Sequence, residues 1–170
     1  MGWLEKRTTH LAPFVDPLPN PLSSPRDFSA VSMSIVYMSL LLSIFEHSDT
    51  PTTILHVLET HTLVFMCRTV SIFLLPLSAP PCTVLLHDPL IESLTHEPPL
   101  KHDLFFSGHT AFVLIHVLFA RNFWWWIQAF MFVLTPIFLF LQRVHYAIDI
   151  YMAPFVTYTC YSIVQHLFVS

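Results

Sequence analysis

Two separated stretches of the chain carry residue types that can move a phosphoryl group. The first reads Asp103-Leu-Phe-Phe-Ser-Gly-His109-Thr110 and the second Arg143-Val-His145-Tyr-Ala-Ile-Asp149. His145 and Asp149 are four residues apart, so on a helix their side chains share a face and the carboxylate can accept the Nδ1 proton. That fixes the tautomer and leaves Nε2 as a nucleophile or base. His109 follows Ser107 and Gly108 at a predicted helix entrance, where unpaired backbone N–H groups help to hold a phosphate. Arg143, two residues before His145, can add a bidentate clamp on phosphate oxygens. One histidine as nucleophile, a second as acid and cationic donors for the developing oxygen charge make a set suited to phosphoryl transfer.

Such a set needs elements to bring it together, and the composition says what they are. Of 170 residues, 54% are hydrophobic and 11% charged, too apolar and too charge-poor for an ordinary soluble domain. A membrane-spanning helix needs roughly 20 mostly apolar residues. Five runs approach that length, at 28–45, 54–75, 105–120, 123–141 and 147–168. The expected architecture is therefore all-α: a multi-pass transmembrane helical bundle of about five spans, residues 28–170, behind a polar, proline-rich N-terminal segment, 1–27. Only Arg121 and Asn122 separate the third and fourth runs, which forces an antiparallel hairpin with Arg121 at a membrane surface. The positive-inside tendency makes that turn cytoplasmic. Alternation then places the starts of the third and fifth runs, and the end of the second, together on the opposite side. Both histidine stretches begin there. The aromatic cluster Phe123, Trp124, Trp125 and Trp126 reads as an interfacial belt. The second run holds His56, Glu59, His61 and Arg68, each costly in hydrocarbon unless it faces a partner, a cavity or the interface. The connection 77–103, rich in proline, histidine and carboxylates, is expected to form a lid or substrate mouth.

Other functions are disfavoured. The formal net charge of −4 comes without a basic block, so nothing recommends nucleic acid as a partner. Cys67, Cys82 and Cys160 contain no Cys-x-x-Cys pair and read as small hydrophobes or loop residues. Glu5, Lys6 and Arg7 are followed by a proline-rich stretch, unlike a signal peptide. His56, His61, His116 and His166 read as hydrogen-bonded packing residues. His109 and His116 are seven apart on one helical face, which permits a metal site with His145 and Asp149, but this reading is much weaker than catalysis.

The motifs also carry a resemblance. Ser107-Gly108-His109 followed by His145-x-x-x-Asp149 resembles the lipid phosphatase and phosphotransferase superfamily built on type 2 phosphatidic acid phosphatases. Phe106-Ser-Gly-His-Thr110 and Arg143-x-His-Tyr-x-x-Asp149 resemble, more narrowly, the sphingomyelin synthases and their relatives. Arg68-Thr69, Leu75-Pro76 and Cys82 are similar to an upstream stretch of that family, and Asp16-Pro17-Leu18-Pro19 is a fainter echo of another. There is no Lys-x6-Arg-Pro motif of the phosphatase branch. The resemblance implies that His145, oriented by Asp149, attacks the phosphorus of a phospholipid, and that His109 protonates the departing diacylglycerol oxygen. A phosphohistidine-type intermediate then passes its phosphocholine or phosphoethanolamine to ceramide or diacylglycerol. It implies no metal and no cofactor. Asp103, Ser107, Gly108, Arg68 and Arg143 become substrate-binding residues, and Golgi or plasma membrane the location in a eukaryote. Departures are Ala147 where the family has Thr or Ser, Lys101-His102 before Asp103, and five spans where six are usual, the first apparently missing. A hydrolase using the same site, with water as acceptor, and a truncated non-catalytic membrane protein are the alternatives.

Overall fold

The computed structural model describes residues 16, 18, 20–22, 24, 26–75, 77–78, 80, 82–89, 92–93 and 105–169, and among these there is helix and no strand. The helices are α1 (Ser29–Glu46), α2 (Pro51–Leu74), α3 (Gly108–Phe119), α4 (Asn122–Leu141) and α5 (Ala147–Val164), the last continued by a π-helical turn, Gln165–Val169. Each lies on one of the five apolar runs. Pro51 opens α2 because its fixed φ suits the first helical position, where its missing N–H costs nothing. Asn122, at φ 51°, makes the sharp α3–α4 turn, a left-handed conformation that asparagine tolerates. The backbone N–H of Arg121 donates to Glu46 Oε1 at 2.7 Å, tying that turn to the end of α1.

α3 packs against all four other helices, with α1 and α4 together on one flank and α2 and α5 on the other. Eight of its 12 residues are buried. It is also shorter than the 105–120 run suggested. At 1.5 Å per residue its length is about 18 Å, against a hydrocarbon core of about 30 Å. A helix apolar on every side and surrounded by protein meets other helices rather than lipid, so it need not match the bilayer. By length and composition α1, α2 and α4 can each cross a membrane. Their outer faces carry Leu41, Phe45, Phe65, Met66, Phe130 and Val133, all exposed, as lipid contact requires. The chain is a helical membrane bundle. Phe123 and Trp126 are also exposed, at the α3–α4 turn.

Polar contacts lock the helices where the hydrophobic effect cannot, since lipid is as apolar as leucine. Ser39 Oγ donates to Gln128 Oε1 at 2.5 Å and Gln128 Nε2 donates to the Ser39 carbonyl at 2.9 Å, joining α1 to α4. Gln142, fully buried after α4, accepts from the Phe28 N–H at 3.1 Å and donates to Ser29 Oγ at 2.9 Å. This pins the start of α1 to the segment from which His145 hangs. Beside it, the Ser29 hydroxyl and N–H hold the Asp27 carboxyl below its ordinary range.

Cys67 of α2 and Cys160 of α5, read from sequence as small hydrophobes or loop residues, meet with their Sγ atoms 3.8 Å apart. Treatment with copper phenanthroline is accordingly expected to convert the two thiols to one intrachain disulfide, the two electrons passing to the oxidant. Mass spectrometry would find the linked peptides in the wild type and lose them in Cys67→Ser. Failure of wild type to cross-link would contradict the α2–α5 packing.

Candidate active site

The site is built where α3 and α5 begin. Ser107 caps α3, its Oγ accepting from the Thr110 N–H at 3.4 Å and lying 2.9 Å from Thr110 Oγ1. Its own N–H donates to the Asp149 carbonyl at 3.1 Å. One backbone bond thus joins the two histidine motifs, between residues 42 positions apart in sequence. Arg68, near the end of α2, reaches the same place, and its guanidinium donates to the Phe106 carbonyl. The guanidinium also lies over Gly108, where an added Cβ would stand 2.9 Å from Cζ and 3.3 Å from Nε. A Cβ fits at this position only if the guanidinium moves away. His109 follows, half-buried, in the first turn of α3.

At the start of α5 the structure changes the expected geometry of the His145–Asp149 pair. The spacing of four suggests two side chains on one helical face, but the helix begins at Ala147 with Tyr146 as its cap, so His145 lies outside it. Asp149 instead folds back over the helix start, where its Oδ2 accepts from the Tyr146 N–H at 3.0 Å and stands 3.6 Å from His145 Nδ1. Both side chains are buried. The distance is slightly longer than a hydrogen bond, and such contacts commonly tighten when substrate binds. A single carboxylate thus caps α5 and faces the imidazole. Tyr146 is also anchored, its hydroxyl donating to the Ser78 carbonyl at 3.1 Å.

Other expected residues lie differently. Arg143 has a left-handed backbone, φ 60°, and its guanidinium donates to the Leu22 carbonyl at 2.9 Å. It braces the N-terminal segment, whereas Arg68 is the arginine that the structure brings to the Ser107-Gly108 turn. Asp103 falls outside the described residues, as do 79, 81, 90–91 and 94–102 of the expected lid at 77–103. His56 pairs with Glu59 at 2.9 Å. His61, Phe112 and His116 pack ring against ring with centroids 4.7 to 5.2 Å apart; His61 Nδ1 lies 2.8 Å from the Val57 carbonyl, as expected of a hydrogen-bonded packing residue, whereas neither ring nitrogen of His116 has such a partner among the described residues. Among the described residues no group of three or more His, Cys, Asp or Glu side chains is gathered as a metal site.

Sequence reasoning missed two participants. One is the Phe106 carbonyl that receives Arg68, a backbone group that no side-chain pattern marks. The other is Asp16, whose Oδ2 accepts from the Ala147 N–H at 2.9 Å, the first helical residue of α5. Its only signal was the faint family echo of Asp16-Pro17-Leu18-Pro19 ahead of the first apolar run.

Arginine over a glycine turn, two histidines at neighbouring helix starts and a buried carboxylate behind one of them form an arrangement able to hold a phosphate ester and exchange its oxygen substituents. No curated protein and no solved structure matches the chain. Residues 102–167 match the family described as PAP2 superfamily C-terminal, a stretch that contains His109, His145 and Asp149 but not Arg68 or Asp16. This match supports the type 2 phosphatidic acid phosphatase superfamily and suggests lipid chemistry of the phosphatase or phosphotransferase kind.

Proposed function

We propose that the protein is a membrane phosphotransferase of the sphingomyelin synthase-related kind, moving phosphocholine or phosphoethanolamine from a phospholipid to ceramide or diacylglycerol. The observation that carries this reading is the joining of the two histidine motifs by the Ser107–Asp149 backbone bond, with Arg68 laid over Gly108 beside them. His145 Nε2 attacks phosphorus, the bond from phosphorus to the diacylglycerol oxygen breaks, and His109 gives that oxygen its proton. The acceptor hydroxyl then attacks the phosphohistidine-type intermediate as His109 takes the hydroxyl proton, and the nitrogen–phosphorus bond breaks. Asp149 orients His145 throughout. Arg68, Ser107 and Gly108 bear the phosphate oxygens, with Asp103 as a further substrate-binding residue, while Arg143 braces Leu22. Residues 28–170 form the catalytic domain, and a Golgi or plasma membrane location goes with this reading.

The test uses the full chain in liposomes containing head-group-labelled phosphatidylcholine or phosphatidylethanolamine, with ceramide or diacylglycerol as acceptor. Label is expected in the acceptor lipid. Release of water-soluble phospho-head group alone would replace the transferase with a hydrolase acting through the same site. Absence of turnover from folded protein would overturn the enzyme reading.

A further inference from the structure

The segment before α1 makes three side-chain hydrogen bonds to a single stretch of the chain more than a hundred residues away. Asp16 Oδ2 accepts from the Ala147 N–H at 2.9 Å, Asn20 Nδ2 donates to the Phe140 carbonyl at 2.6 Å, and Arg143 donates to the Leu22 carbonyl at 2.9 Å. The stretch they hold, 140–147, is the α4–α5 connection that carries His145. The strap is itself stiffened. Asp16 Oδ1 accepts from the Leu18 N–H at 3.1 Å and Asn20 Oδ1 from the Leu22 N–H at 3.0 Å, two local turns of the kind that short polar side chains form with their own backbone. Pro21, between Asn20 and Leu22, has its own φ fixed by its ring. Presenting Asp16 and Asn20 therefore loses less conformational freedom than it would on an unrestrained chain.

Asp16 acts at a critical place. The first two N–H groups at the start of α5 are those of Tyr146 and Ala147, and each has a carboxylate acceptor: Asp149 from within the helix, Asp16 from the opposite end of the chain. His145 immediately precedes them, outside the helix, so its backbone is set by whatever fixes this turn. We propose that Asp16 is a positioning residue for His145, and that Asp16, Asn20 and Leu22 act as a strap holding the 140–147 connection in its working geometry. The kinetic part of this inference rests on the function proposed above; the structural part stands without it.

Hydrogen–deuterium exchange and head-group turnover would be measured on full-length wild type, Asp16→Ala, Asp16→Asn and Asn20→Ala in the same detergent. Asp16→Ala is expected to raise exchange in peptides covering 140–150 about tenfold, the factor that follows from losing one charge-assisted hydrogen bond, while α1 and the first half of α4 are unchanged. It should lower kcat about tenfold and leave KM within about twofold, because Asp16 does not touch substrate. Asp16→Asn keeps an acceptor oxygen and should recover most of both properties. Unchanged exchange at 140–150 in Asp16→Ala would overturn the strap, as would a uniform rise across all helices, which marks general destabilisation. Should Asp16→Ala fail to fold, Asn20→Ala decides the matter, with a local rise of a few fold expected and none contradicting it. A wild type without turnover would sink the proposed function, while the exchange data would still judge the strap.

Discussion

His145→Gln is expected to abolish head-group turnover, lowering kcat by at least about 10⁴-fold, the scale on which removing a covalent nucleophile acts. Glutamine is the informative replacement. Asp149 is fully buried, and its Oδ1 has no hydrogen-bond partner. Cutting His145 back to alanine would leave that carboxylate facing a void, with a stability loss of about 1–3 kcal/mol that could be mistaken for a catalytic effect. Glutamine retains a donor near Asp149 but cannot form the nitrogen–phosphorus bond. Turnover would be measured beside thermal unfolding, and an inactive variant melting within a few degrees of wild type is the expected pair of results. Substantial activity in His145→Gln would remove His145 from the role of nucleophile.

Gly108→Ala should produce an effect of comparable interest through a different cause. The methyl group would collide with the Arg68 guanidinium, whose Cζ lies 2.9 Å from the position it would take. Since the colliding group is the far end of a long side chain, Arg68 can swing aside, and the expected stability change is under about 1 kcal/mol. On the proposed function, the phosphate site then loses the Arg68 cation. Removing one preorganised donor to a developing charge typically costs 10²- to 10³-fold in rate, so kcat/KM is expected to fall by about 10²-fold. Arg68→Ala should cost a similar factor, and Gly108→Ala should add little in an Arg68→Ala background, because the two changes remove the same interaction. Additive losses would mean that Gly108 matters for a reason other than the room it leaves for Arg68.

The helices were legible in the sequence because lipid imposes a simple rule: about 20 apolar residues per span, interrupted by charge or proline. That rule found all five and misjudged α3. Its length is set by the Ser107 cap and by burial among four other helices, and hydropathy carries no information on either. The two histidine motifs were legible as residue types at a fixed spacing. Their local geometry was not, since a spacing of four looks the same for a helical face as for a carboxylate folded back over a helix start, the arrangement that Asp149 adopts. The arginines show the same limit. Both Arg68 and Arg143 had the chemistry to bind phosphate, but only tertiary packing distinguishes the one over Gly108 from the one bracing Leu22. Asp16 was harder still, because its partner is a backbone N–H 131 residues away, and backbone groups leave no trace in side-chain patterns.

The most direct test of the central claim is to trap the intermediate. Enzyme mixed with phospholipid labelled in its phospho-head group, without an acceptor, would be quenched under alkaline conditions that preserve phosphohistidine and digested for mass spectrometry. The label is expected on His145, absent from His145→Gln, and formed more slowly in His109→Ala, where the acid that protonates the departing diacylglycerol oxygen has been removed. Label on His109 or another side chain, or full turnover with no labelled protein at any time, would contradict a mechanism that passes through His145.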